Sequence, residues 1–137
     1  MAPLTQSLVL RKTICIVLGI VFGLLCCWFA STETNVWGTP LMWSILWNRM
    51  LIGILVFVAG AINYHAWLKI RLYPCLRGAA CGLVVSADAA IGSLMGGYMP
   101  AAVWGTLVMG AIYGLIIDAV ATKVAGDGRA VLGEWSR

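Results

Sequence analysis

Three ionisable residues interrupt otherwise apolar stretches of this chain: Arg49, Asp88 and Asp118. Inside hydrocarbon such a residue is costly, so it faces a bundle interior or a cavity, and it is either paired or functional. Asp88 has Gly92 and Gly96 at i+4 and i+8, which places it on a face of small residues. Arg49 heads the stripe Arg49, Gly53, Val56, Gly60 and Asn63, small and polar as an interior face is. Counted from a common end, Arg49 and Asp88 differ in depth by roughly 6 Å at 1.5 Å per helical residue. An arginine side chain spans that, so an Arg49–Asp88 pair is expected, with Tyr113 at similar depth as a donor to Asp88. Two chemistries fit the trio. One is a buried ion pair that fixes which helices meet, and the other is a proton- or ion-responsive site. A third arrangement has Arg49 snorkelling to an interface.

Asp118 is the secondary candidate. It shares a face with Gly114, Gly110 and Thr106, and Asn63 and His65 stand at comparable depth. An Asp118–Asn63 or Asp118–His65 contact is one reading; a carboxylate hydrated at the interface near Lys123 is the other. Cys26 and Cys27 are adjacent. Paired thiols can relay a soft metal ion, but in apolar surroundings they also act as small hydrophobes, and no matching thiols continue a path. The five cysteines include no C-x-x-C, so neither a disulfide framework nor a metal site is expected. The chain has one histidine and no G-x-S-x-G, H-E-x-x-H, P-loop or dinucleotide fingerprint,. No cofactor and no catalytic residue follow from it.

The elements that must hold these residues are set by composition. Hydrophobic residues make up 62% of the 137 and charged residues 10%, against roughly 25% charged in a soluble domain. So few charges leave a water-facing surface uncovered. Four apolar segments, at about 14–30, 41–63, 78–97 and 101–124, each reach or approach the roughly 20 residues a spanning helix needs. Lipid offers backbone N–H and C=O groups no partner, so the segments are predicted helical. The expected fold is all-α: one polytopic domain over 1–137, a four-transmembrane-helix bundle with a short tail at 125–137. Trp28 and Phe29 before Ala30 are a poor cleavage context, so the first segment is expected to stay as a span,.

Charge orients the spans. Of the nine Lys and Arg, all but Arg49 fall in the N-terminal stretch, the 64–77 connection or the C-terminal end from Lys123 onward. The other side carries Glu33 as its one charge. Lys and Arg mark cytoplasmic loops, so both termini are expected in the cytoplasm, with the bilayer of the cytoplasmic membrane as first partner. The net charge of +4 is thereby explained without nucleic acid, since the basic residues form no stripe interleaved with aromatics. Trp28, Trp37, Trp43, Trp47, Tyr98 and Trp104 gather at one set of span ends, and Tyr64, Trp67 and Tyr73 at the other, as interfacial rings do,.

The halves share a pattern. Arg11 to Cys15 matches Arg77 to Cys81 in spacing, and Pro40 and Pro100 each precede a returning span. This suggests a duplicated helical hairpin; interfacial punctuation common to any two spans gives the same likeness. GxxxG pairs occur at Gly19–Gly23, Gly78–Gly82, Gly92–Gly96 and Gly110–Gly114, and in lipid such small faces allow close helix approach. The third span is small on several sides and is expected to be central, either in the four-helix bundle or at an oligomer interface, while the first, rich in Ile, Val and Leu, is expected to face lipid.

Functionally, the pattern points first to a non-enzymatic bundle that forms a homo-oligomer or serves as a subunit of a larger membrane complex. A small ion- or proton-coupled transporter or channel subunit using Asp88 and Arg49 is the alternative, and an intramembrane enzyme the lesser one.

Overall fold

The computed structural model describes residues 4–32, 35–60, 64–65, 70–71, 73–97 and 100–126. Four helices dominate it: α1 (Leu4–Ala30), α2 (Pro40–Ala59), α3 (Pro74–Met95) and α4 (Pro100–Ala125). All four are long and apolar enough to cross a membrane. At 1.5 Å per residue they measure about 30 to 40 Å, against a hydrocarbon core of about 30 Å. Between α2 and α3, Tyr64–His65 pairs antiparallel with Ile70–Arg71 in a two-residue ladder.

Local chemistry sets the ends. Pro40, Pro74 and Pro100 each open a helix, where the missing N–H is no loss and the fixed φ suits the first turn. Gly97, just past α3, and Gly126, just past α4, have φ of 75° and 81°, the left-handed conformation that stops a helix most cheaply when no Cβ is present. Two boundaries differ from the sequence expectation for one reason. Helix α1 starts well before residue 14 and α3 before residue 78, because Arg11 and Arg77 are not flanking charges. Both lie within the helices and both are buried.

The helices run antiparallel in two tight hairpins. A Cβ built on Gly78 would overlap the Gly114 carbonyl, and one on Gly82 the Gly110 carbonyl. In the first hairpin, Gly53 abuts the Cys15 carbonyl and Gly19 the Arg49 carbonyl. Cys15 thus occupies the packing position of Gly78, whereas the matching Arg-to-Cys spacing equates it with Cys81; the two hairpins cross in different registers. Between the hairpins lies an apolar core of Cys15, Ile52, Val56, Cys81, Ile117 and Ala121. Helix α4 packs against all three others, while α3 sits chiefly on α4 and less on α2. Helix α2 likewise meets all three others, so within the bundle α2 and α4, and not α3, are the helices that touch every neighbour. Small residues on α3 serve one contact with α4; its other small face, at Gly92 and Gly96, is exposed.

The α1–α2 and α3–α4 turns lie at one end of the bundle, ringed by exposed Trp28, Trp43, Trp47 and Trp104. The opposite end gathers the N-terminal parts of α1 and α3 with the C-terminal ends of α2 and α4. The first is called here the tryptophan end and the second the arginine end.

Candidate functional site: a buried arginine–carboxylate cluster and a polar belt

The arginine end closes on Asp118, which is fully buried. Arg11 Nη2 donates to its Oδ1 at 2.6 Å, while Arg77 Nε donates to Oδ2 and Nη2 to Oδ1, both at 2.8 Å. Thr122 Oγ1, one turn along α4, adds a donor at 3.3 Å. The two-point approach of Arg77 is the fork geometry that makes guanidinium–carboxylate bonds strong and directional. The same guanidiniums reach helix C-termini: Arg11 Nη1 donates to Gly126 O at 2.9 Å, and Arg77 Nη1 to Gly60 O at 3.4 Å. Cations there satisfy the last carbonyls and the negative end of the helix dipole. Gly60 is the floor beneath Arg11, since a Cβ there would strike the guanidinium. One carboxylate thus ties α1, α3 and α4 together, and α2 is held through Gly60.

The expected contacts of Asp118 with Asn63 or His65 fall outside the described side chains. Asn63 lies outside the described residues, and of His65 only the backbone pairing is described. The hydrated-carboxylate reading is also set aside: Asp118 points inward and Lys123 is exposed. The clue in the sequence is the matched placement of Arg11 and Arg77, one near the start of each hairpin, a placement that the positive-inside pattern also accounts for,.

The Arg49–Asp88 pair does not form. Arg49 is buried in the bundle interior and Asp88 is exposed on its outer surface. What separates the two residues is not depth but the helix face each occupies. Ser86, which faces inward, stands two residues from Asp88, or about 200° around the helix. The α3 stripe that packs is Gly78, Gly82, Ser86 and Ala90, and the stripe of Asp88 and Gly92 points away from it.

Arg49 instead belongs to a polar belt to which every helix contributes. Its Nη1 donates to Ser86 Oγ on α3 at 3.0 Å and to Asn48 Oδ1 at 3.2 Å. Its guanidinium carbon lies 5.3 Å from the ring centroid of Tyr113 on α4, within the range of a cation–π contact. That ring also stacks on Phe22 of α1 at 4.6 Å. The Tyr113 hydroxyl accepts from the Cys26 thiol at 3.5 Å. Tyr113 thus joins Arg49 and not Asp88. Asn48 Nδ2 bridges to Val85 O at 3.1 Å, pinning α2 to α3. Cys27, beside Cys26, points elsewhere, toward Met42 O. Among the described residues no group of three or more His, Cys, Asp or Glu is placed to hold a metal ion.

The chain matches no known protein-family model, and no curated protein and no solved structure matches it either.

Proposed function

We propose that this chain is a non-enzymatic membrane bundle that works as an assembled unit, with the outer face of α3 seated against another span, that of a second copy. One observation supports this reading above the others: Asp88 stands on the outside of a helix long and apolar enough to cross a membrane, between exposed Val84 and Ile91. At 1.5 Å per residue it lies about 10 Å from the end of α3, beyond easy reach of the interface for so short a side chain. A charged side chain left against lipid costs about 2.5–3.5 kcal/mol at a span's centre and less toward its ends. A neighbouring span supplies the polar cover that lipid does not.

The surroundings suit such a neighbour. Gly92, one turn on, is exposed, and a Cβ there would meet nothing within 4 Å. A small face lets a second backbone approach closely. A copy that presents the same face in return makes a self-complementary two-fold contact. The positive-inside bias adds orientation: both termini and the arginine end lie in the cytoplasm, in the cytoplasmic membrane. A pathway lined jointly by Arg49 and Asp88 is the weaker reading, because one faces the interior and the other the exterior.

Amine cross-linking in native membranes tests the assembly, since Lys12 and Lys123 are exposed near the arginine end. A discrete dimer or higher species, lost on Asp88→Leu, supports it. Cross-linking that leaves only the monomer, at lengths that bridge two adjacent bundles, refutes it.

A further inference from the structure

Ser44 of α2 and Asp88 of α3 are both exposed, and neither hydrogen-bonds to any described residue. Their register is set by the bond from Asn48 Nδ2 to Val85 O, which brings Asn48 and Val85 level on antiparallel α2 and α3. Ser44 stands four residues from Asn48, and Asp88 three from Val85, both toward the tryptophan end. At 1.5 Å per residue those steps are about 6 Å and about 4.5 Å, so the two side chains share one depth to within about 2 Å.

The turn of each helix sets the direction. On α2, Asn48 reaches α3 and Arg49 is buried; Ser44 lies about 40° around from Asn48, on the side away from Arg49. On α3, Val85 packs on the core, its carbonyl meets Asn48, and Ser86 is buried. Asp88 lies about 60° around from Val85, on the side away from Ser86. Both residues therefore stand on the outer flank of the α2–α3 seam, a hydroxyl donor on one helix and a carboxyl acceptor on the other.

We propose that a second copy closes this flank, with Ser44 of each copy donating to Asp88 of the other. The pairing rests on the assembly through α3 proposed above and names the groups that hold it. Two copies with the same membrane orientation are related by a two-fold axis along the bilayer normal. Such an axis preserves depth and sets α2 of one copy opposite α3 of the other, as the right hand of one person faces the left hand of another across a table. Donor then meets acceptor at one level, and meets it again in the reverse direction, as a self-complementary contact requires. A serine hydroxyl supplies the proton that a carboxylate accepts. The offset also keeps the two carboxylates from facing each other, where like charges repel. Gly92, with open space where a Cβ would stand, allows the backbones to approach,.

The test mixes full chains carrying different mass tags in detergent micelles and weighs the dimers by native mass spectrometry. Ser44→Ala and Asp88→Ala should each weaken the homodimer severalfold; both side chains are exposed, so neither change touches the core. Mixed with each other, these two variants retain one Ser44–Asp88 pair, and the mixed dimer should exceed its statistical share severalfold. Wild type mixed with the double variant Ser44→Ala, Asp88→Ala retains none, and there the mixed dimer should fall severalfold below its statistical share. Statistical shares in both mixtures, from a wild type that does dimerise, overturn the pairing and leave the assembly standing. A statistical share only in the mixture with the double variant places the pair within one copy and overturns the proposal as well. A wild type that never dimerises overturns the assembly and the pairing with it.

Discussion

Asp118→Asn is the perturbation whose outcome the structure fixes most tightly. The substitution keeps shape and one acceptor, and removes the charge that faces two buried guanidiniums. At an effective dielectric constant of 20, each pair at about 4 Å contributes about 4 kcal/mol of attraction. Desolvation offsets much of that while the cluster is intact. Once the carboxylate is gone, Arg11 and Arg77 stay buried without it, and breaking a buried pair from one side costs about 3–5 kcal/mol. That is on the order of a hundredfold or more in the ratio of folded to unfolded chains. Thr122→Val is the matched control. It removes a neutral hydroxyl that donates to the same oxygen at 3.3 Å and accepts from Arg11 Nη1 at 3.2 Å; the second is a bond between helices, and such side-chain bonds average about 0.6 kcal/mol. Unfolding in mixed micelles with increasing SDS, followed by far-UV circular dichroism, measures both. The triple change Arg11→Met, Arg77→Met and Asp118→Leu should recover most of the loss, because apolar replacement of a whole buried charge cluster is often neutral. A loss below about 1 kcal/mol for Asp118→Asn, no larger than for Thr122→Val, would falsify the claim that charge pairing and not hydrogen bonding holds this end.

Other outcomes follow from the packing. Gly82→Leu should abolish the folded α3–α4 hairpin, since even a Cβ would overlap the Gly110 carbonyl; the expected readout is loss of the cooperative unfolding transition. Tyr113→Phe keeps the stack on Phe22 and the ring beneath Arg49 and removes only the hydroxyl that meets Cys26. It should cost no more than about 1 kcal/mol in the same SDS titration. Cys75 is exposed near the start of α3, while Cys15, Cys27 and Cys81 are buried. A membrane-impermeant maleimide should label Cys75 in inside-out vesicles and not in right-side-out ones, and labelling only from the outer side would reverse the proposed orientation.

The four spans were legible because length and apolar content add along the chain and need no knowledge of neighbours. Which face of each span packs was less legible. Helix α3 carries two small stripes, one through Gly82 and Ser86 and one through Asp88 and Gly92, and spacing alone does not say which meets α4. A hydroxyl inside the stripe was the better guide: Ser86 is fully buried with a partner, whereas the glycines beside Asp88 are bare. Arg11 and Arg77 were hidden by their double use. A basic residue near a span end fits the positive-inside pattern whether it faces water or turns inward, and only three-dimensional placement shows both reaching the same carboxylate. For that reason Asp118, read as secondary, proves to be where four described hydrogen bonds meet.

The mass of the particle tests the central claim most directly. Native mass spectrometry of the wild type released from nanodiscs should show a dimer or larger species. Gly92→Leu, which has open space on the protomer, should unfold as the wild-type protomer does yet appear as a monomer. A wild type that is monomeric at every protein concentration and in every lipid, or a Gly92→Leu variant that assembles as well as the wild type, would contradict the account.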